Sequence, residues 1–150
     1  MIFTPYRMST ALAVINAAGG AIAIAAASVT PTPVGLTLPV QSTNIFGLFL
    51  VNGMHGTMHL LVGSLGLLVP AGKIRAEAYL TAHTIWFAGL AVLGLVVVPE
   101  MAPAHAMVGL AINFPDHVAH LMLASTSLVP VLVTSDRHHR EDRSQCEGHI

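Results

Sequence analysis

Apolar and polar residues divide the chain into four long apolar blocks. Between Met8 and Gly72 there is no Asp, Glu, Lys or Arg. The first block, about 8–29, stops at TPTP (Thr30 to Pro33), where two prolines cannot continue a helix. The second, about 45–69, stops at PAGKIR (Pro70 to Arg75), and the third, about 78–98, stops at Pro99 and Glu100. The fourth, about 114–133, begins after Asn113, a capping residue, with Pro115 and Asp116 in its first turn. Each block reaches the ~20 apolar residues that one membrane crossing needs. The expected fold is an all-α membrane protein with four transmembrane helices. They form one domain over residues 1–133, followed by a flexible polar cytoplasmic tail over 134–150.

The stretch Pro99 to Asn113 is too apolar for an ordinary loop and too short to span. It is expected to lie at the membrane interface or to fold back onto the bundle. Lys and Arg set the direction of the chain. Arg7 precedes the first helix, Lys73 and Arg75 join the second to the third, and Arg137, Arg140 and Arg143 follow the fourth, while 30–44 and 99–113 hold none. Both termini are therefore expected in the cytoplasm. Composition agrees: of 150 residues, 54% are hydrophobic and 9% charged, against roughly 25% charged in soluble domains. The first apolar block, at roughly 22 residues, exceeds the ~7–15 of a signal-peptide core and reads as a retained helix. The lone Cys146 excludes a disulfide framework or a cysteine metal site. No basic patch points to nucleic acid.

Two stretches break the apolar pattern in the same way, NGMHGTMHLL (Asn52 to Leu61) and NFPDHVAHLM (Asn113 to Met122). They superpose at a constant offset of 113 − 52 = 61 residues, which matches Asn52 with Asn113, His55 with Asp116 and His59 with His120. Gly63 then meets Ala124, and Gly66 meets Ser127. The second and fourth helices would thus run the same way, as two hairpins in a direct repeat. Asn52, His55, His59, Gly63 and Gly66 share one helical face, as do Asn113, Asp116 or His117, His120, Ala124 and Ser127. Small residues on that face let helices approach closely in lipid and turn its polar groups into the bundle. His59 precedes Pro70 by 70 − 59 = 11 residues, or roughly 16 Å at ~1.5 Å each. An ionisable group at that depth needs a partner.

The patterns NxxHxxxHLLVGSLGLL, from Asn52, and INxxDHxxHL, from Ile112, resemble those of a bacterial family of uncharacterised four-helix integral membrane proteins, classed as a domain of unknown function. The resemblance covers about residues 10–133. It implies the four-helix topology and marks His59, Asn113, Asp116 and His120 as family positions. It implies no activity, cofactor or substrate, and His55 and His117 are less typical of it.

Several functions remain open. Asn52, Asn113, Asp116 and the histidines serve in one reading as interhelical glue, with each pair contributing ~0.6–2 kcal/mol. The protein is then a small accessory or structural subunit of a larger bacterial membrane complex, embedded in the lipid bilayer beside other membrane-protein subunits. A second reading is cofactor binding. His59 and His120, at matching positions on parallel helices, suit bis-imidazole ligation of haem, and a single histidine suits a chlorophyll-type pigment. His83 is a further candidate, with a plain hydrogen-bonding role beside Thr81 and Thr84 as its alternative. A third reading is a zinc or copper site of His55, His59, His117, His120 and Asp116, with His105 able to complete the shell and Met54, Met58, Met101 and Met107 as soft donors. No nucleophile elbow, phosphate loop or catalytic carboxylate pair is present, so an enzyme is the least favoured class. The expected location is the bacterial inner membrane or a photosynthetic or energy-transducing membrane.

Overall fold

The computed structural model describes the backbone of residues 4–29, 32–34, 40–97, 105–107 and 109–147, and the side chains of 4–28, 42–96 and 109–134. Four helices dominate: α1 (Pro5–Val29), α2 (Gly53–Gly66), α3 (Ala76–Val97) and α4 (Phe114–Glu147). Three contain stretches long and apolar enough to cross a membrane: Pro5–Ser28, Ala76–Val96 and Phe114–Thr134. Their surface composition fits lipid. Ile85, Val96 and Met122 are each at least 66% exposed, whereas Ser9, Asn16, His83, His117, His120 and Ser127 are buried. Polar groups turned inward and aliphatic groups turned outward reverse the soluble arrangement.

The expected all-helical chain needs correction at two places. Residues 45–51 are not part of a helix. They belong to β2 (Val40–Ile45) and β3 (Phe49–Val51), an antiparallel pair extended on its other side by β1 (Thr32–Val34). The turn between them passes through Phe46 and Gly47, both at positive φ, a conformation that the middle of a helix excludes. Asn52, at φ −132°, caps α2, and its Oδ1 accepts from the His55 backbone N–H at 2.9 Å. The helix therefore starts at Gly53 and has 14 residues, about 21 Å at ~1.5 Å each and short of the ~30 Å hydrocarbon core. Hydropathy alone cannot separate an apolar strand from an apolar helix. The second correction concerns the stretch before α4. It forms β4 (His105–Met107) and β5 (Leu110–Ile112), a hairpin with Gly109 at φ +81°. Leu110, Ala111 and Ile112 are buried, so this part folds back onto the helices. The Pro99–Glu100 stop lies outside the described residues. Helix α4 continues into the polar segment, its backbone helical as far as Glu147; Arg, Glu and Gln in that segment are good helix formers.

Glycine sets the spacing of α1 and α2. A Cβ on Gly63 would fall on the backbone of Ala17, and one on Gly56 would lie 2.8 Å from the Gly20 carbonyl oxygen. Contacts move down α1 as they move up α2, so the two run antiparallel. Helices α3 and α4 pair in the same sense, with Gly94 against the His117 ring and His83 and Thr84 against Ser127. An apolar cluster of Leu12, Val69, Tyr79 and Leu80 closes one end, and Leu110 and Ile112 pack with Met58 and Leu90 toward the other.

The strand layer is tied to the helices by contacts that occur twice. Asn52 Nδ2 donates to the Gly109 carbonyl at 2.8 Å, and Asn113 Nδ2 donates to the Leu48 carbonyl at 2.8 Å. His55 Nδ1 donates to the Ala111 carbonyl at 3.0 Å, while Asp116 Oδ2 accepts from the Leu50 N–H at 3.2 Å. Each partner pair is related by 61 residues: 113 − 52, 109 − 48, 116 − 55 and 111 − 50. Asp116 Oδ2 also accepts from the Asn113 N–H at 2.8 Å and Asn113 Oδ1 from the Asp116 N–H at 3.3 Å, a reciprocal cap on α4. The two polar stretches of the sequence thus satisfy each other's strand backbone, as a backbone shielded from water requires.

Candidate functional site

Just inside that strand layer, three imidazoles converge. His55 and His59, one turn apart on α2, meet His120 from α4, and one ligand atom from each lies within 4.8 Å of the others. The ring centroids form a near-equilateral triangle: 5.1 Å for His55–His59, 5.6 Å for His55–His120 and 5.6 Å for His59–His120. The side chains at 59 and 120 therefore face each other inside the fold. Phe87 of α3 lies 5.3 Å from both rings and closes the opposite side of the triangle.

Outer contacts fix how two of the rings present themselves. A carbonyl oxygen only accepts, so His55 must carry its proton on Nδ1, facing Ala111. His59 Nδ1 donates to Asn16 Oδ1 at 2.9 Å. In the neutral tautomer each ring then keeps its lone pair on Nε2, with the Leu50 backbone also lying against the His55 ring. His120 Nδ1 is buried and has no hydrogen-bond partner among the described residues. An unpaired polar atom at such a depth costs about 1–3 kcal/mol, which binding of a ligand there would relieve.

Asn16 is the residue that sequence reasoning missed. It is 1% exposed in the middle of α1. Its Nδ2 donates both to the Leu12 carbonyl at 2.8 Å and to His83 Nε2 at 3.1 Å, while its Oδ1 holds His59. All of its polar capacity toward the bundle is used. The available signal was a lone amide in the apolar run of α1, four residues before Gly20. Beyond it, His83 Nδ1 meets Ser127 Oγ at 3.2 Å, and Ser127 meets Thr84 Oγ1 at 2.8 Å. Both His83 nitrogens are thereby engaged, and its ring packs at a tilt of 51° against Phe87, centroids 4.5 Å apart. Were a metal held by the triad, Asn16→Leu is expected to lower its affinity about 10–100-fold, the usual cost of losing an outer-shell partner. Competition titration against a chelator measures it; unchanged affinity would show that Asn16 does not orient His59.

The five residues grouped by the sequence as one metal set do not all converge. His117, 1% exposed, turns its ring onto the Gly94 backbone of α3. Asp116 directs Oδ2 at two backbone N–H groups. Asn52 and Asn113 act as caps and as ties to the opposite strand pair. The side chains of His105 and Met107, and all of Met101, lie outside the described residues. Beside the triad a cavity of about 240 Å³ opens between α1 and α4, lined by Gly19, Phe49, Ala119 and Leu123 together with His55, His59, His120 and Asp116. A larger groove of about 650 Å³ between α2 and α3 is lined by Met54, Met58, Trp86 and aliphatic residues, with no imidazole.

Compared with known proteins, residues 8–133 match the family model described as Domain of unknown function (DUF4383). No curated protein and no solved structure matches the chain.

Proposed function

We propose, from the premise that this chain belongs to the DUF4383 family, that it is a small integral membrane protein that holds one zinc or copper ion on His55, His59 and His120. In this reading the chain crosses the membrane four times as two hairpins in a direct repeat, with both termini in the cytoplasm as the Lys and Arg distribution indicates. The crossing by the short α2 is completed by β2 and β3, an irregular path that lipid tolerates because protein satisfies its backbone. The triad then lies in the outer half of a bacterial inner or other energy-transducing membrane.

The convergence of three imidazoles, His55 and His120 buried and His59 half-buried, two of them with Nδ1 anchored, carries the proposal. Metal-bound histidines as a rule donate their second N–H in this way. Tetrahedral zinc with Zn–N near ~2.0–2.1 Å sets its nitrogens roughly 3.3 Å apart. Ligand atoms already within 4.8 Å reach that by small ring rotations. A haem between His59 and His120 fits less well. Its plane would pass midway between the two rings, where His55 and Phe87 stand nearly equidistant from both. A chlorophyll-type macrocycle exceeds the cavity of about 240 Å³ at the triad.

The accessory-subunit reading is the second proposal. Its support is that the remaining polar groups, from Asn16 through Ser127 to Asn113, take part in bonds within the fold. Gentle solubilisation followed by elemental analysis, absorption and X-ray absorption spectroscopy separates the two. The metal reading expects about one zinc or copper per chain with nitrogen neighbours near ~2.0–2.1 Å and no Soret band. A metal-free preparation that takes up neither ion, isolated with stoichiometric partners, would leave the accessory role alone.

A further inference from the structure

Three imidazoles leave a four-coordinate ion one ligand short, and the cavity beside the triad lies where the fourth would come. It is bounded by Gly19 and Ile22 on α1, Ala119 and Leu123 on α4 and Phe49 and Val51 on β3, and its inner wall includes all three histidines and Asp116. At about 240 Å³ it holds the volume of roughly eight waters at ~30 Å³ each. Apart from the histidines and Asp116, its wall is apolar, and two of its lining residues reach the apolar surface, Ile22 at 51% and Phe46 at 87% exposed. A small molecule dissolved in the lipid can reach it without crossing water.

Charge defines the chemistry of that molecule. Three neutral imidazoles do not offset the charge of a bound ion. Burying even a unit charge without compensation carries an idealised penalty of order 20 kcal/mol, and the Born term grows as the square of the charge. Asp116 lines the same cavity but is engaged through Oδ2 with two backbone N–H groups. The remaining position is thus suited to an anionic donor atom. Resting on the tri-histidine metal reading, we infer that the site is open rather than closed. Its fourth ligand is a small, membrane-soluble weak acid of the phenol or thiol class, which enters through this lateral cavity and binds the metal as its anion, its proton being lost to the aqueous phase.

Cobalt(II) makes both readings visible. The full chain in lipid nanodiscs is loaded with Co²⁺ and titrated with azide and with thiophenol. The metal reading expects tetrahedral d–d absorption on loading. The open site expects azide to shift those bands and thiophenol to add a near-ultraviolet thiolate-to-cobalt band. Gly19→Leu supplies the control: a Cβ there meets nothing within 4 Å, so the larger side chain is accommodated and fills the cavity. This variant is expected to keep the d–d bands of the loaded site and to weaken the thiophenol response at least tenfold. Absence of d–d bands in the unsubstituted protein overturns the metal site and this inference with it. Bands that appear but ignore both probes overturn the open position alone. An equal thiophenol response in Gly19→Leu overturns the lateral route.

Discussion

Protein carrying His59→Ala is expected to retain less than about a tenth of its zinc or copper, because losing a ligand costs more affinity than the ~10–100-fold of an outer-shell substitution. The reason is geometric. His59, like each member of the triad, meets both others, at 5.1 and 5.6 Å, and its Nδ1 is in addition tied to α1 through Asn16. Removing it leaves two imidazoles, one from each of two helices, which cannot define a tetrahedral site. His120→Ala is expected to behave alike. His117→Ala is the informative contrast, because that histidine is three residues from His120 in sequence yet packs on Gly94. It is expected to lower thermal stability through the hole it leaves, at near-normal metal content. Elemental analysis beside a thermal melt measures both quantities on each variant. Wild-type metal content in His59→Ala, or metal loss only in His117→Ala, would move the site away from the triad.

The second large effect concerns packing. Gly63→Leu is expected to destabilise the fold by more than about 3 kcal/mol, at or beyond the upper end for overpacking. Even the Cβ of alanine at this position would overlap the Ala17 backbone, and the Ala13 carbonyl oxygen lies 2.7 Å from it. The obstruction is backbone on a facing helix, so no rotamer change relieves it. Close van der Waals approach across the glycines is much of what holds α1 to α2. Gly89→Ala, where a Cβ meets nothing within 4 Å, is expected to be neutral or to stabilise by up to ~1 kcal/mol through helix propensity. Thermal unfolding in detergent, followed by the near-ultraviolet signal of Trp86, separates the two. A Gly63→Leu protein that melts with the wild type would mean that α1 and α2 do not approach as described.

The sequence by itself determined the helical character, the four apolar blocks, the small-residue stripe and the pairing of Asn52, His55 and His59 with Asn113, Asp116 and His120. These are one-dimensional signals. Apolar length, a spacing of three and four, and an offset of 61 residues are all present in the order of residues. Tertiary structure decided the rest. Whether residues 45–51 are helix or strand depends on a positive-φ turn at Phe46 and Gly47 and on the carboxylate of Asp116, 66 residues away from Leu50, which satisfies the strand. Which histidines form a site was equally hidden. His117 and His120 share a stretch of helix, but α3 presents a bare backbone at Gly94 that takes one ring, while the triad takes the other. Asn16 joined the site only because α1 packs across α2 and α3, a contact that no local pattern encodes. Spacing along a helix fixes which side a residue faces, but what it meets there is set by the neighbouring helices, and only their packing turned three scattered imidazoles into one candidate centre.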